Sequence, residues 1–459
     1  MPRLLHYSDI ENVYDDPARV ARLAGRIREL DGEDALVCGS GDNTSPGVLP
    51  LVDRGRQALD FFDAVGTDVS TFGNHDFDYG PAAARSLVAD APQTWVSANV
   101  RDEDGGRFAA DHVTPYAVLE ADGDSVGFFG VTDPATPSLN PMAADLAFAD
   151  PYEAAERAVA AIRDEGADYV VALSHLGGGD DELARRVDVD VVLGGHVHSE
   201  RRERVAGTLL LRPGVNGHAV YEVELGDDGA EATRRETAGA APVAAVESRL
   251  RGRIEAAGLN EVVATVETPI ERSDQAVHRG ECRVGNFVAD AYRWASGADV
   301  GLQNSGGIRD GPAISGEVTL KDCISLIPFE EPLVTVELTG RELTRVFSEC
   351  SSATVDFGEP DWWHGHVSGA SFVLDEETAA VLEARVGGEP VDPDATYTVA
   401  TSDYVLHSDH EFPTIEESHR VGEGDILHDV LAEYARECGV SPEVEGRMRR
   451  VRGAPADDD

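Results

Sequence analysis

Lysine is nearly missing from this sequence: the 38 basic residues include one lysine, Lys321, and the rest are arginine. Acidic residues number 86, so the formal net charge is −48. Phosphate backbones and anionic membranes are bound through basic patches, and this balance argues against nucleic acid or membrane as a partner. The carboxylates are spread along the chain rather than gathered in one tail. Spread acidity with arginine in place of lysine fits a halophilic, archaeal-type protein, because dense carboxylates keep a surface hydrated in molar salt. Cysteine is also scarce. Cys38, Cys282, Cys323, Cys350 and Cys438 are odd in number and scattered without a CxxC pair, which suits reduced thiols better than a disulfide framework or a structural zinc site. Long apolar runs are absent, so no membrane span is expected. The opening MPRLLHYSDI lacks an apolar signal-peptide core and runs straight into a strand, so the expected location is cytoplasmic.

What is present is ordinary globular composition, with 42% hydrophobic and 27% charged residues over 459 positions. That length exceeds what one core normally supports and predicts two domains. In the first half, RLLHYSD, DALVCGSGD, DVSTFGNHD, SVGFFGVTD, DYVVALSHLG and VDVVLGGHVH read as strands. Helical segments at 17–30, 48–64, 81–90 and 151–165 lie between several of them. Runs that are apolar throughout, rather than alternating, predict strands covered on both faces, as in a layered α/β domain. The polar stretch DDGAEATRRETAGAA marks the expected boundary, because it carries few large apolar residues. The expected division is 1–235 for the first domain, 236–260 for a linker with a helix, and 261–452 for a second α/β or α+β domain. A disordered acidic tail is expected over 453–459.

Five of the strands end in potential metal ligands: Asp9; Asp42; Asn74 with His75; His175; and His196 with His198. Singly, an Asp or Asn after a strand is a turn former or helix cap. Together they carry more weight, since open α/β sheets bind ligands beyond the carboxyl ends of their strands. The flanking glycines in GSGD, FGNHD, HLGGG and LGGHVH let backbone approach a bound ion.

These residues resemble the calcineurin-like metallophosphoesterases. The motifs that carry the resemblance are GD at 41–42, GNHDFD at 73–78, SH at 174–175 and GGHVH at 194–198. Their order and spacing are similar to the 5′-nucleotidase/UDP-sugar hydrolase branch. The resemblance implies a four-layer α/β/β/α sandwich with two divalent cations, Mn²⁺ or Zn²⁺ first and Mg²⁺ or Co²⁺ as alternatives. It implies that Asp42 bridges them, that Asp9 and His198 hold one, and that Asn74, His175 and His196 hold the other. It also implies a catalytic dyad of His75 and Asp78. Two cations about 3.5–4 Å apart can hold an attacking hydroxide on one side and phosphoryl oxygens on the other, and phosphoryl transfer needs positioning and charge neutralisation most. One position departs from the pattern: Glu11 stands where the family carries histidine. As a ligand it makes its site richer in oxygen and favours Mn²⁺ or Mg²⁺ over Zn²⁺; alternatively it hydrogen-bonds the leaving group or a metal-bound water.

The second half resembles the 5′-nucleotidase C-terminal domain in ECRVGNFVADA, QNSGGIRDG, SLIPFEEPL and YTVATSDYVL. By that resemblance the domain grips the nucleoside and rotates to present the phosphate. Asn304 meets the base and Arg309 the phosphate or ribose, where a guanidinium offers bidentate contacts. Phe329 and Tyr404 form an aromatic clamp, worth about 1–3 kcal/mol per stacked base. The family's further arginine before ECxxGN is replaced by His278 and Arg279, and HSDHEF lacks the glycine-rich ending, with Asp409 or His410 expected to supply its acid. EPDWWHGH, holding Trp362, Trp363, His364 and His366, reads as a capping loop or packed insert rather than a metal site. The expected activity is hydrolysis of a nucleoside 5′-monophosphate, with a small nucleotide as partner. A nucleotide-sugar diphosphatase, a 2′,3′-cyclic nucleotide phosphodiesterase and a non-catalytic nucleotide-binding protein are the alternatives. A sulfur-ester hydrolase of related fold fits the clamp-like residues less well.

Overall fold

A computed structural model describes residues 1–354, 362–408 and 410–451; the expected tail at 453–459 and Asp409 lie outside them. The chain divides into two compact units, Met1–Ala257 and Gly258–Asp459.

The first unit is built on β1 (Arg3–Tyr7), α1 (Pro17–Leu30), β2 (Ala35–Ser40), β3 (Val69–Thr71), β4 (Asp124–Thr132), β5 (Tyr169–His175) and β6 (Val191–Gly194). β1, β2 and β3 are parallel neighbours at the centre of a seven-stranded sheet. β4, β5 and β6 are parallel neighbours in a six-stranded sheet. Leu4, Leu36, Cys38 and Val69 from the first sheet pack with Phe128, Val171, Leu173 and Leu193 from the second in one core. Alternate residues face outward. Phe129, Val170, Ala172 and Val192 meet helix residues such as Ala155, Ile162 and Leu183, while Tyr7 meets Phe61 edge-on at 5.3 Å. Helices thus cover both outer faces, giving the four-layer α/β/β/α sandwich. It also explains why the strands read as apolar throughout: both faces are buried. α1 shows the local logic. Asp16 caps it by accepting from the Arg19 N–H, Pro17 starts it, and its apolar positions are buried, as expected of a proline-led, side-chain-capped helix.

The polar stretch near 226–241 folds as the strand Glu231–Glu236, at the edge of the seven-stranded sheet and antiparallel to Ala219–Glu224. An edge strand exposes its arginines and glutamates, and that makes it read like a linker. The helix Ala244–Ala256, expected in the linker, is part of the first unit: the Val243 N–H donates to the Ala21 carbonyl at 2.9 Å, and Val246, Leu250 and Ile254 are buried. The expected helix over 48–64 is two, Val48–Asp53 and Ala58–Val65, broken at Arg54 in the left-handed region.

The second unit carries a mixed five-stranded sheet whose neighbours run Gly365–Ser368, Val300–Asn304, Thr396–Ser402, Pro332–Thr339 and Arg420–Ile426. The helices Arg283–Ser296 and Leu427–Cys438 fill one core through Phe287, Tyr292 and Leu431. The helix Gly340–Glu349 fills another through Leu343 and Phe347. A four-stranded sheet containing Ala370–Asp375 completes this α+β unit. Trp363 is buried in the second core and Trp362 stacks on His278 at 3.9 Å, so both expected capping aromatics are packed side chains.

Candidate functional site

The parallel strands of the first unit deliver their following residues to one end of the sandwich, and three donor groups gather there. Asp42, His175 and His196 form one, Asp9, Glu11 and His198 a second, and Glu11, Asp42 and His75 a third; within each, the ligand atoms lie within 4.8 Å of one another. Asp42 belongs to two groups. Its Oδ2 is 2.9 Å from His175 Nε2, and its Oδ1 accepts the His75 N–H at 2.7 Å. His175 Nδ1 bonds the Ser40 carbonyl at 2.8 Å, leaving Nε2 as the nitrogen aimed at the cluster. A backbone acceptor on the far ring nitrogen fixes a ligating histidine's tautomer. His196 Nδ1 is 2.8 Å from Asn74 Oδ1, and its backbone N–H donates to Asp9 Oδ1 at 3.0 Å. Glu11 Oε1 lies 2.9 Å from His198 Nε2, with Glu11 buried and His198 half-exposed. The structure therefore brings all seven expected ligands together, and Glu11 lies within the cluster.

The backbone is bent to do this. Asp9, Glu11, Asp42 and His196 have φ of 48°, 47°, 51° and 73°. This left-handed conformation costs non-glycine residues free energy and gathers at functional sites. A Cβ on Gly41 or Gly73 would sit under 3.0 Å from His175, and on Gly195 under 3.0 Å from Ser8, Asp9 and His175. Only glycine fits where three strand ends converge.

The candidate dyad is held as a unit. His75 Nδ1 is 3.1 Å from both carboxylate oxygens of Asp78. Asp78 also accepts from Ser45 Oγ at 2.6 Å and Asn140 Nδ2 at 3.0 Å. The Asn140 amide further ties to the Asn74 carbonyl at 2.8 Å.

Three supporting residues escaped the sequence reading. Asp76 is buried and accepts from the N–H groups of Asp42, Asn43, Thr44 and Gly73 and from Thr44 Oγ1, so one carboxylate pins both motif loops. It looked like filler between His75 and Asp78. Asp133 follows β4 and lies 3.5 Å from His196 Nε2; the strand-end signal that flagged the other ligands applied to it as well. Asn140, far off in sequence and in no motif, gave no signal.

Electrostatics follow from burial. Burial pushes Asp9 up to about 6, helped by Asp42 and opposed by His175. Asp76 also rises to about 6, from burial first and then from the Asp42 charge. Burial works to raise Asp42 and to lower His175, but their mutual charge and hydrogen bond win. Asp42 stays below the usual carboxylate range and His175 rises to about 10. The donor set of buried carboxylates, imidazoles and one amide fits two hard-to-borderline divalent cations.

In the second unit, Arg309 lies over the Phe329 ring, 5.7 Å from its centroid. Asn304 is buried and donates through Nδ2 to Glu411 Oε2 at 3.0 Å. Burial first, and then the nearby Glu411 charge, raise the Tyr404 phenol above its ordinary range. Asn304 thus ends on Glu411, and Arg309 pairs with Phe329.

Residues 2–200 match the calcineurin-like phosphoesterase family and residues 262–417 match the 5′-nucleotidase C-terminal domain. The chain is 26% identical to the trifunctional nucleotide phosphoesterase protein YfkN of Bacillus subtilis, over 98% of this chain and 35% of that one. It is 25% identical to the 5′-nucleotidase of Rattus norvegicus, over 96% of this chain and 88% of that one. The solved 5′-nucleotidase precursor from Thermus thermophilus superposes with a TM-score of 0.82 at 25% identity, covering 99% of this chain and 100% of that one. The chain spans about a third of the length of the first curated relatives it matches.

Proposed function

Because this chain belongs to the 5′-nucleotidase family of calcineurin-like phosphoesterases, we propose that it hydrolyses nucleoside 5′-monophosphates to nucleoside and phosphate at the centre built around Asp42. The observation that carries the proposal is Asp42 itself, shared between a group with His175 and His196 and a group with Glu11 and His75.

On this reading Asp42 would be shared by two cation sites, which Asp9, Glu11 and His198 on one side and Asn74, His175 and His196 on the other would complete. Bound divalent cations supply neutralisation of the phosphoryl oxygens and a water of lowered pKa. The remaining work belongs to the chain. Asp78 holds His75 by Nδ1, so His75 acts at Nε2, donating a proton to the leaving oxygen or stabilising its charge. Ser45 and Asn140 hold Asp78 in turn, which keeps the imidazole in one orientation. Three carboxylates around the first site favour Mn²⁺ or Mg²⁺, and two imidazoles at the second favour Zn²⁺ or Co²⁺. Asn304 meets the base, Phe329 and Tyr404 clamp it, and Arg309 meets the phosphate or ribose. The five unpaired cysteines fit a reducing, cytoplasmic compartment.

The test is phosphate release in high KCl with Mn²⁺, Zn²⁺, Co²⁺ or Mg²⁺, using nucleoside monophosphates, UDP-glucose, 2′,3′-cyclic nucleotides and an aryl phosphate. Nucleoside monophosphates are expected to turn over fastest. Turnover of the aryl ester alone removes the nucleotide claim, and no release with any cation leaves a nucleotide-binding protein. His75→Ala should lower kcat by about 10²–10⁴-fold and spare metal content and nucleotide binding.

A further inference from the structure

Five buried polar side chains of the second unit form one connected relay. Gln303 Nε2 donates to the Asn304 carbonyl oxygen at 2.7 Å. A carbonyl oxygen only accepts, so this contact fixes which end of the Gln303 amide carries the N–H₂. Gln303 Oε1 must then accept, and it does so from the Tyr292 hydroxyl at 2.7 Å. The same Nε2 donates to Asn304 Oδ1 at 2.8 Å. With Oδ1 assigned as the acceptor, Asn304 Nδ2 turns to Glu411 and donates to Oε2 at 3.0 Å. Glu411 Oε1 lies 3.3 Å from His364 Nδ1, and its backbone N–H donates to Ser408 Oγ at 3.0 Å.

Glu411 is the junction of this relay. It is 1% exposed, and a carboxylate so buried is costly unless its oxygens are engaged. Asn304 and His364, from separate segments, both end on it. The Asn304–Glu411 pair lies close beneath a half-exposed loop: a Cβ added to Gly306 would come within 4.0 Å of both Asn304 Nδ2 and Glu411 Oε2. A group resting on that glycine is within one side chain's reach of the Asn304 amide.

We infer that Glu411 is a positioning residue for the nucleoside. It holds the Asn304 amide in one orientation, so that amide offers a fixed donor and acceptor pattern. The inference rests on the nucleotide reading of this chain.

Glu411→Gln keeps the shape but sets an amide that is both donor and acceptor against Asn304, so the orientation is no longer dictated. KM for the best nucleoside monophosphate should rise about tenfold, the loss of one charge-assisted hydrogen bond. The kcat should stay within about twofold, because an interaction made equally in ground and transition states moves KM alone. Aryl phosphate turnover and the thermal midpoint should not move. Asn304→Ala should raise KM in the otherwise unmutated chain and add nothing in the Glu411→Gln background, since residues acting through one contact are not additive. Two results overturn the inference: an unchanged nucleotide KM in folded Glu411→Gln, or an equal loss on aryl phosphate, which marks a merely structural role. Full additivity with Asn304→Ala also overturns it. Absence of nucleotide turnover in the unmutated protein removes the nucleotide reading and this inference with it, and is told apart because no substitution is needed to see it.

Discussion

His175 and Asp42 share a proton in a buried pair, with Nε2 and Oδ2 2.9 Å apart and His175 held up at about 10. Its raised value stabilises the folded chain fully below the ordinary histidine range near 6.5, and that contribution fades as pH rises through about 10. A cation that takes Nε2 must displace the proton. Titration of the metal-stripped protein with Mn²⁺ at about pH 7.5, in buffers of different ionisation enthalpy, should therefore release about one proton, falling to about half a proton near pH 10. The same calorimetry tests Glu11. Glu11→Gln should weaken one of two binding steps by about tenfold or more and leave the other, as expected when one carboxylate ligand is lost; two unchanged steps remove Glu11 from the ligand set. At this scale the sequence was most readable where residue type is itself the signal. Asp9, Asp42, Asn74, His175, His196 and His198 stand out because carboxylates, amides and imidazoles rarely close five strands in succession. Asp76 did not stand out, because its role is accepting hydrogen bonds from two separate loops, and nothing local records that.

At the scale of elements, the strands set direction and the turns after them set geometry. β1, β2 and β3 run parallel, as do β4, β5 and β6, so each strand's carboxyl end points to the same side. The turns then hold Asp9, Glu11, Asp42 and His196 at positive φ. That strain persists only while the packing around it is complete. Gly73 is the tightest point: an added Cβ would collide with the Asp42 carboxylate and the His175 ring. Gly73→Ala should fold, since the cores lie elsewhere, but bind substoichiometric metal after exchange into buffer. Elemental analysis checks this, and full occupancy would show that the turns yield more easily than their geometry implies. Helix and strand positions were legible from periodicity and capping, as α1 shows. The edge strand Glu231–Glu236 was not, because an edge strand faces solvent and carries a loop's composition.

For the whole molecule, charge dominates. With 86 acidic and 38 basic residues, 48 carboxylates have no basic counterpart. Exposed pairs such as Arg341–Asp394 and Arg56–Asp90 contribute little each, about 0–1 kcal/mol. Repulsion among the excess carboxylates should outweigh what salt takes from those pairs. Raising KCl from about 0.15 M to about 1 M shortens the screening length from about 8 Å to about 3 Å, so the thermal midpoint should climb over that range. A midpoint that falls or stays level would remove the halophilic reading. The same screening lets an anionic nucleotide approach. Among the described residues no helix is long and apolar enough to cross a membrane.

The sequence alone determined the layered fold and which side chains gather as candidate metal ligands, because each is written in residue type and spacing: apolar runs that need two covered faces, and donor groups that close successive strands. Tertiary structure decided how those groups are held. Asp42 as the shared donor, Asp76 as the clamp on two loops, and Glu411 as the acceptor of the Asn304 amide all depend on contacts between segments far apart in the chain. A hydrogen bond's partner is fixed by distance and direction in space, and no local pattern of residues encodes either.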